Sequence, residues 1–203
     1  MKGYYFITDS GLSRAGSVAD VRAAVETGVS VVQYRNKDGE TRALYEEAKI
    51  LRELCRGTGT RFIVNDRIDI ALAVDADGVH IGQEDMPYRE ARRLMGHGKI
   101  IGVSVHTLEL AKEAERDGAD YLGVGPVFPT ATKPDALAPT GVSLVREVKA
   151  VVSIPVAAIA GISLENVDEV INAGADMVCA ISAVVAGENV KEEIMKFQRK
   201  YLR

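Results

Sequence analysis

The sequence predicts an α/β protein folded as a single-domain (β/α)8 barrel over residues 1–203. Three observations predict it. Short apolar runs alternate with longer amphipathic stretches from one end of the chain to the other, the pattern of a sheet wound strand by strand in parallel. A shared punctuation, "ETGVS", "AVDADGV", "RDGADYLGV" and "NAGADMVCA", recurs as a helix end, a turn and the start of the next strand. No linker or low-complexity segment divides the chain, and 203 residues suit one compact barrel with little insertion.

The eight strand candidates are residues 4–7, 29–33, 62–64, 78–81, 100–103, 121–124, 156–159 and 177–181. Each is short and apolar, often β-branched, as buried parallel strands are. Between them, "TRALYEEAKILRELCR" places Leu44, Ala48, Leu51 and Cys55 near one helical face. "TLELAKEAERDGAD" carries Leu108, Ala111 and Ala114 and stops at Gly118. "SLENVDEVINAGAD" repeats that design, with Ser163 as N-cap and Gly174 as stop. An open doubly wound sheet is the competing architecture, but it usually carries a glycine-rich phosphate fingerprint after the first strand. The first strand here ends in "FITDSGLS" and lacks one.

Composition narrows the function classes. Hydrophobic residues make up 47% and charged residues 27%, ordinary for a globular protein. Two cysteines far apart, Cys55 and Cys179, argue against a disulfide framework and for a reducing cytoplasm. The start "MKGYYFITDS" lacks the apolar core of a signal peptide, and no run approaches a membrane span. A net charge of −4 without a basic block speaks against general nucleic-acid binding. Small-molecule partners are expected, with no nucleic acid or membrane; a homo-oligomer is compatible with the sequence.

Barrel enzymes place their chemistry at the carboxyl ends of the strands. After the second run come Gln33, Tyr34, Arg35, Asn36 and Lys37. Gln33, Arg35 and Lys37 share one parity, so an extended tip projects an amide, a guanidinium and an ammonium together, a set suited to a phosphate. Asn65 and Asp66 follow the third run, and Gln83, Glu84 and Asp85 the fourth. Mg2+ commonly takes one or two carboxylates and completes its shell with water and substrate phosphate, so Asp66 with Asp85 suits a metal–diphosphate. Taken singly, either aspartate is also credible as a helix cap. Ser104 and His106 end the fifth run, while Thr130, Ala131, Thr132 and Lys133 follow the sixth. Gly161 follows the seventh, and Ile181 with Ser182 closes the eighth, a region where backbone amides often receive a phosphate. Two anion sites thus share one rim. His80 reads as a packed strand histidine and His97 as a solvated turn residue; both cysteines read as structural.

The stretches "VQYRNK", "FIVNDRIDIALAVDADGVHIGQEDMP", "IIGVSVHTLELA", "GADYLGVGPVFPTATKPDA" and "PVAAIAGI" closely resemble the thiamin-phosphate synthase family over nearly the whole chain. The resemblance implies a single-domain barrel that joins 4-amino-5-hydroxymethyl-2-methylpyrimidine diphosphate to 4-methyl-5-(2-hydroxyethyl)thiazole phosphate, releases diphosphate and uses Mg2+. By matching motif it implies the pyrimidine diphosphate site at Gln33, Tyr34, Arg35, Asn36, Lys37, Asn65, Ser104 and Lys133. It implies metal ligands at Asp66 and Asp85, and the thiazole phosphate site at Thr130, Ala131, Thr132, Gly161, Ile181 and Ser182. Arg35, Lys37, Ser104 and Lys133 are then the catalytic set. The implied chemistry is dissociative: diphosphate leaves first, and the thiazole nitrogen attacks the resulting pyrimidine cation. Three positions depart from the family pattern. Tyr34 and Val105 replace other residue types, and Ala160 stands where the family usually has a glycine. Two competing readings are a thiazole tautomerase on the same fold, which would not need Arg35, Lys37, Asp66 and Asp85 together, and a non-catalytic sensor of thiamin phosphate.

Overall fold

The structure is a computed structural model describing residues 1–130, 132 and 137–201. Eight parallel strands close into a barrel in sequence order: β1 (Gly3–Ile7), β2 (Val31–Tyr34), β3 (Arg61–Asn65), β4 (Gly78–Ile81), β5 (Ile100–Val105), β6 (Tyr121–Val124), β7 (Val156–Ile159) and β8 (Met177–Cys179). Helices α1 (Ser17–Glu26), α2 (Thr41–Cys55), α3 (Ile68–Ala73), α4 (Tyr88–Met95), α5 (Leu108–Asp117), α6 (Gly141–Lys149) and α7 (Val167–Asn172) alternate with the strands. Two more, α8 (Ile181–Val185) and α9 (Val190–Tyr201), follow the last strand. Among the described residues, no helix is long and apolar enough to cross a membrane.

Strand periodicity divides the core in two. Tyr4, Phe6, Val32, Phe62, Val64 and Val79 face outward, against the apolar sides of the helices. Tyr5, Ile7, Val31, Ile63, Tyr121, Ala157, Met177 and Cys179 face inward and fill the barrel. Each large apolar side chain fully buried this way contributes about 1.5–3 kcal/mol. On α2, Leu44, Ala48, Leu51 and Cys55 are the buried residues, as the spacing predicts. Gly118 and Gly174 end their helices at φ 99° and 100°, values that L side chains rarely adopt.

Three details differ from the expectation. Val29 and Ser30 precede β2 instead of opening it; the Val29 carbonyl accepts from the Thr60 hydroxyl at 2.8 Å. Ile181 starts α8 because the chain turns at Ala180, whose carbonyl is taken by the Tyr4 hydroxyl at 3.0 Å. Ser163 does not cap α7, since the residues after it form turns and the Asn166 side chain accepts from the Ser163 N–H at 2.8 Å.

One contact repeats three times on the amino-terminal face. Asp77 Oδ2 accepts from the Phe62 N–H at 2.8 Å and from Arg52 Nη1 at 3.2 Å. Asp120 Oδ2 accepts from the Ile101 N–H at 2.7 Å and from Arg92 Nη2 at 2.6 Å. Asp176 Oδ2 accepts from the Val156 N–H at 2.9 Å and from Lys149 Nζ at 2.6 Å. In each case an aspartate just before an even strand ties the preceding odd strand to an even helix. Charge-assisted bonds of this kind are about twice as strong as neutral ones.

Candidate active site

A cavity of about 550 Å3 opens at the carboxyl ends of the strands. Twelve of the expected residues line it: Gln33, Arg35, Lys37, Asn65, Asp66, Asp85, Ser104, Thr130, Thr132, Gly161, Ile181 and Ser182.

The tip of β2 stays extended because β1 holds it. The Thr8 N–H donates to the Gln33 carbonyl at 2.9 Å, and the Arg35 N–H donates to Thr8 Oγ1 at 2.8 Å. Gln33, Arg35 and Lys37 therefore keep one parity and face the cavity together. Arg35 Nη1 meets Asp9 Oδ2 at 3.3 Å. Lys37 Nζ meets Asp66 Oδ2 at 3.0 Å.

Asp66 stands at φ 61° just past β3, and its N–H continues the pairing by donating to the His80 carbonyl at 2.8 Å. It does not cap α3: the residue in that position is Arg67, with no side-chain cap bond. Asp85 Oδ2 accepts from the Gly82 N–H at 2.7 Å, which turns its carboxylate back toward the rim. Burial and the adjacent Asp85 carboxylate push the Asp66 pKa up, while Lys37 pulls it down. Two neighbouring carboxylates whose repulsion the Lys37 ammonium offsets only in part are what a cation would stabilise. Among the described residues, no group of three or more His, Cys, Asp or Glu side chains forms a metal cluster. Mg2+ held by two carboxylates commonly completes its shell with water and substrate oxygens.

Across the rim, Thr130, Thr132, Gly161, Ile181 and Ser182 form the other wall. Ala160 and Gly161 both take left-handed backbone, at φ 82° and 64°. A Cβ on Gly161 would stand 2.4 Å from the Pro129 carbonyl oxygen, so only glycine lets the loop after β7 lie on that segment. The Gly161 N–H donates to no acceptor among the described residues.

The floor is polar, although it is built inside apolar-looking strands. Gln33 Nε2 donates to the Tyr5 hydroxyl at 2.8 Å, and the Tyr5 and Tyr121 hydroxyls are 2.6 Å apart. Tyr121 meets His80 Nδ1 at 2.9 Å, and His80 Nε2 meets Ser104 Oγ at 2.8 Å. Burial lowers the His80 pKa to about 4, so the ring is neutral at pH 7. Burial also raises the pKa of both tyrosines, which keep their protons.

The remaining expected residues fall elsewhere. Tyr34 turns outward into the helix layer and donates to Glu47 Oε2 at 2.6 Å. The Asn36 side chain accepts from the Asp38 N–H at 3.2 Å. The structure thus brings neither Tyr34 nor Asn36 to the cavity; both line a separate small recess. Ala131 and Lys133 lie outside the described residues. His106 and Val105 line the cavity, and His97 is exposed. Tyr5, Tyr121 and Asp9 were missed. Both tyrosines sit within apolar runs, where only their inward parity and their hydroxyls give a signal. Asp9 does follow the first strand, and an acidic residue facing the arginine at the tip of the second was the available clue.

Fold and rim together define a (β/α)8-barrel enzyme with its site at the carboxyl ends of the strands. Residues 4–184 match the family described as thiamine monophosphate synthase. The chain is 55% identical to a thiamine-phosphate synthase of Methanosarcina barkeri, over 96% of this chain and 88% of that protein. It is 56% identical to one of Chloroflexus aurantiacus, over 92% of this chain and 86% of that protein. The solved thiamine phosphate pyrophosphorylase from Pyrococcus furiosus superposes with a TM-score of 0.89 at 43% identity, over 98% of this chain and 94% of that one. The chain belongs to the thiamine monophosphate synthase family and is a transferase of thiamine biosynthesis.

Proposed function

We propose that the chain joins 4-amino-5-hydroxymethyl-2-methylpyrimidine diphosphate to 4-methyl-5-(2-hydroxyethyl)thiazole phosphate, giving thiamin phosphate and diphosphate, with Mg2+ as cofactor. The observation that carries this reading is the division of one cavity. Arg35, Lys37 and the Asp66–Asp85 pair stand on one wall, and the Gly161–Ser182 side stands on the other. The names of the curated relatives support the same reaction.

Asp66 and Asp85 would hold Mg2+, which when bound neutralises charge on the diphosphate. Arg35 and Lys37 hold the diphosphate oxygens. As the C–O bond from the pyrimidine methylene to the diphosphate breaks, its electron pair leaves with the diphosphate. The guanidinium and ammonium meet the charge that grows there. The lone pair of the thiazole nitrogen closes the new C–N bond and leaves that ring a thiazolium. No protein nucleophile is needed, because the second substrate supplies it; alignment of the two rings is the protein's main task. Gln33, Asn65 and Ser104 orient the pyrimidine, and Thr130, Thr132, Gly161, Ile181 and Ser182 receive the thiazole phosphate. Ala131 and Lys133, although outside the described residues, belong to the same proposed assignment.

The test is direct. Purified protein with both phosphorylated substrates and Mg2+ should release diphosphate and form thiamin phosphate in equal amounts. A folded protein that forms none, or one that turns over equally well in chelator, would overturn the reading.

A further inference from the structure

Gln33, Tyr5, Tyr121, His80 and Ser104 come from five different strands, and their hydrogen bonds form one line across the cavity floor. Each middle member offers a single proton. A tyrosine hydroxyl donates once, and a neutral imidazole donates at one nitrogen and accepts at the other. Among the described residues the Tyr5 and Tyr121 hydroxyls and the His80 ring have no side-chain hydrogen-bond partner outside this line, so each buried proton finds an acceptor only if a direction set at one end is passed along every link. Gln33 Nε2 donates to Tyr5. Tyr5 must then donate to Tyr121, Tyr121 to His80 Nδ1, and His80 Nε2–H to Ser104 Oγ. The proton of Ser104 is left for the cavity. At the other end, the Gln33 amide oxygen has no protein donor among the described residues, and Gln33 lines the same cavity.

The fold reserves space for this line. A Cβ on Gly102 would stand 2.0 Å from Tyr121 Cζ, and one on Gly123 would stand 3.0 Å from His80 Cε1. The reaction proposed above assigns no step to Tyr5, Tyr121 or His80.

The geometry points to Tyr5, Tyr121 and His80 as positioning residues that fix Gln33 as an acceptor and Ser104 as a donor, so that the floor reads the hydrogen-bond polarity of the ring placed on it. An aminopyrimidine fits, offering an amino N–H to Gln33 and a ring nitrogen to Ser104. A 4-oxo analogue, with its N–H in the ring and its acceptor outside, presents the reverse pattern. The inference rests on the proposed placement of the pyrimidine diphosphate in this cavity.

Two measurements test it, and the first uses no substrate. In the full chain labelled with 15N-histidine, His80 should carry its proton on Nε2 and show a bare Nδ1. The chain has 3 histidines, so His80→Gln assigns the signal. In Gln33→Glu at pH 8, the carboxylate can only accept, so the line should reverse and move the His80 proton to Nδ1. A wild-type ring protonated on Nδ1, or a Gln33→Glu ring that keeps its Nε2 proton, overturns the inference. The second measurement compares the 4-amino and 4-oxo pyrimidine diphosphates in wild type, Tyr121→Phe and Tyr5→Phe, using whichever variants fold. The preference in kcat/KM for the amino substrate should narrow about tenfold in the variants, the scale of one lost hydrogen bond. The KM for the thiazole phosphate should not change. A purely structural role would lower stability and leave that preference intact, and this result would also overturn the inference. If wild type forms no product, the proposed reaction fails; the same preference, read from calorimetric binding of the two diphosphates, then decides the inference separately.

Discussion

Ala160 holds its backbone at φ 82°, where a Cβ crowds the neighbouring carbonyl. Glycine carries no such cost, so Ala160→Gly should stabilise the protein by about 1 kcal/mol. Chemical denaturation checks this; a variant no more stable than wild type would show that the loop relaxes around the alanine. Asp85→Asn tests the opposite wall. The Asp66 pKa is raised, so the stability linked to that carboxyl is fully present below its unfolded value and is lost as pH rises through the folded value. Removing the neighbouring charge should therefore make the metal-free variant more stable than wild type at pH 7. The advantage should fade as pH falls and Asp66 is protonated in both. The same variant should need roughly one to two decades more Mg2+ for half-maximal activity, the scale of one lost charged ligand. An activity loss with unchanged Mg2+ dependence would remove Asp85 from the metal site. These two aspartates were legible in the sequence because each follows an apolar run. Tyr5 and Tyr121 were not, because a tyrosine inside such a run looks like core until the partner of its hydroxyl is known.

At the level of elements, the eight apolar runs were legible because parallel strands are buried on both faces. Their ends were less so: β8 stops early through a bond to Ala180 from Tyr4, a residue far away in sequence. The "DADG" and "GAD" punctuation was legible as turns, but not as the ties that Asp77, Asp120 and Asp176 make, since those need the partner strand in place. Asp176→Ala removes the acceptor of the Val156 N–H and leaves Lys149 without its pair. It should cost about 1–3 kcal/mol, while turnover at room temperature stays near wild type because this face lies opposite the cavity. Urea denaturation with a parallel activity assay checks both halves. Gly102→Ala acts on β5 from within. A Cβ 2.0 Å from a ring in a fully buried tyrosine forces that strand or that ring to move. A loss of about 1–3 kcal/mol is expected, and an unperturbed melting curve would contradict the packing described.

The whole molecule separates its tasks by face. Paired charges tie strands to helices at the amino ends, and the open cavity with its mixed charges occupies the carboxyl ends. The architecture and most of the rim could be read in advance, because a closed barrel converts strand order into a ring of strand tips. The floor could not, because it joins side chains from strands that are distant in the chain. The three ties carry a consequence for assembly. Their ionic partners are only 25, 28 and 27 residues apart, short for a parallel sheet, whose pairings are otherwise slow to close. Each helix–strand–strand piece can therefore lock before the ring does, and the barrel can form from pieces that are already complete. Native-state hydrogen exchange in Asp176→Ala should then quicken the Val156 amide and the rest of β7 and β8. The Phe62 and Ile101 amides, held by ties of their own, should keep their wild-type rates; equal acceleration of all three would mean that the ring opens only as one body.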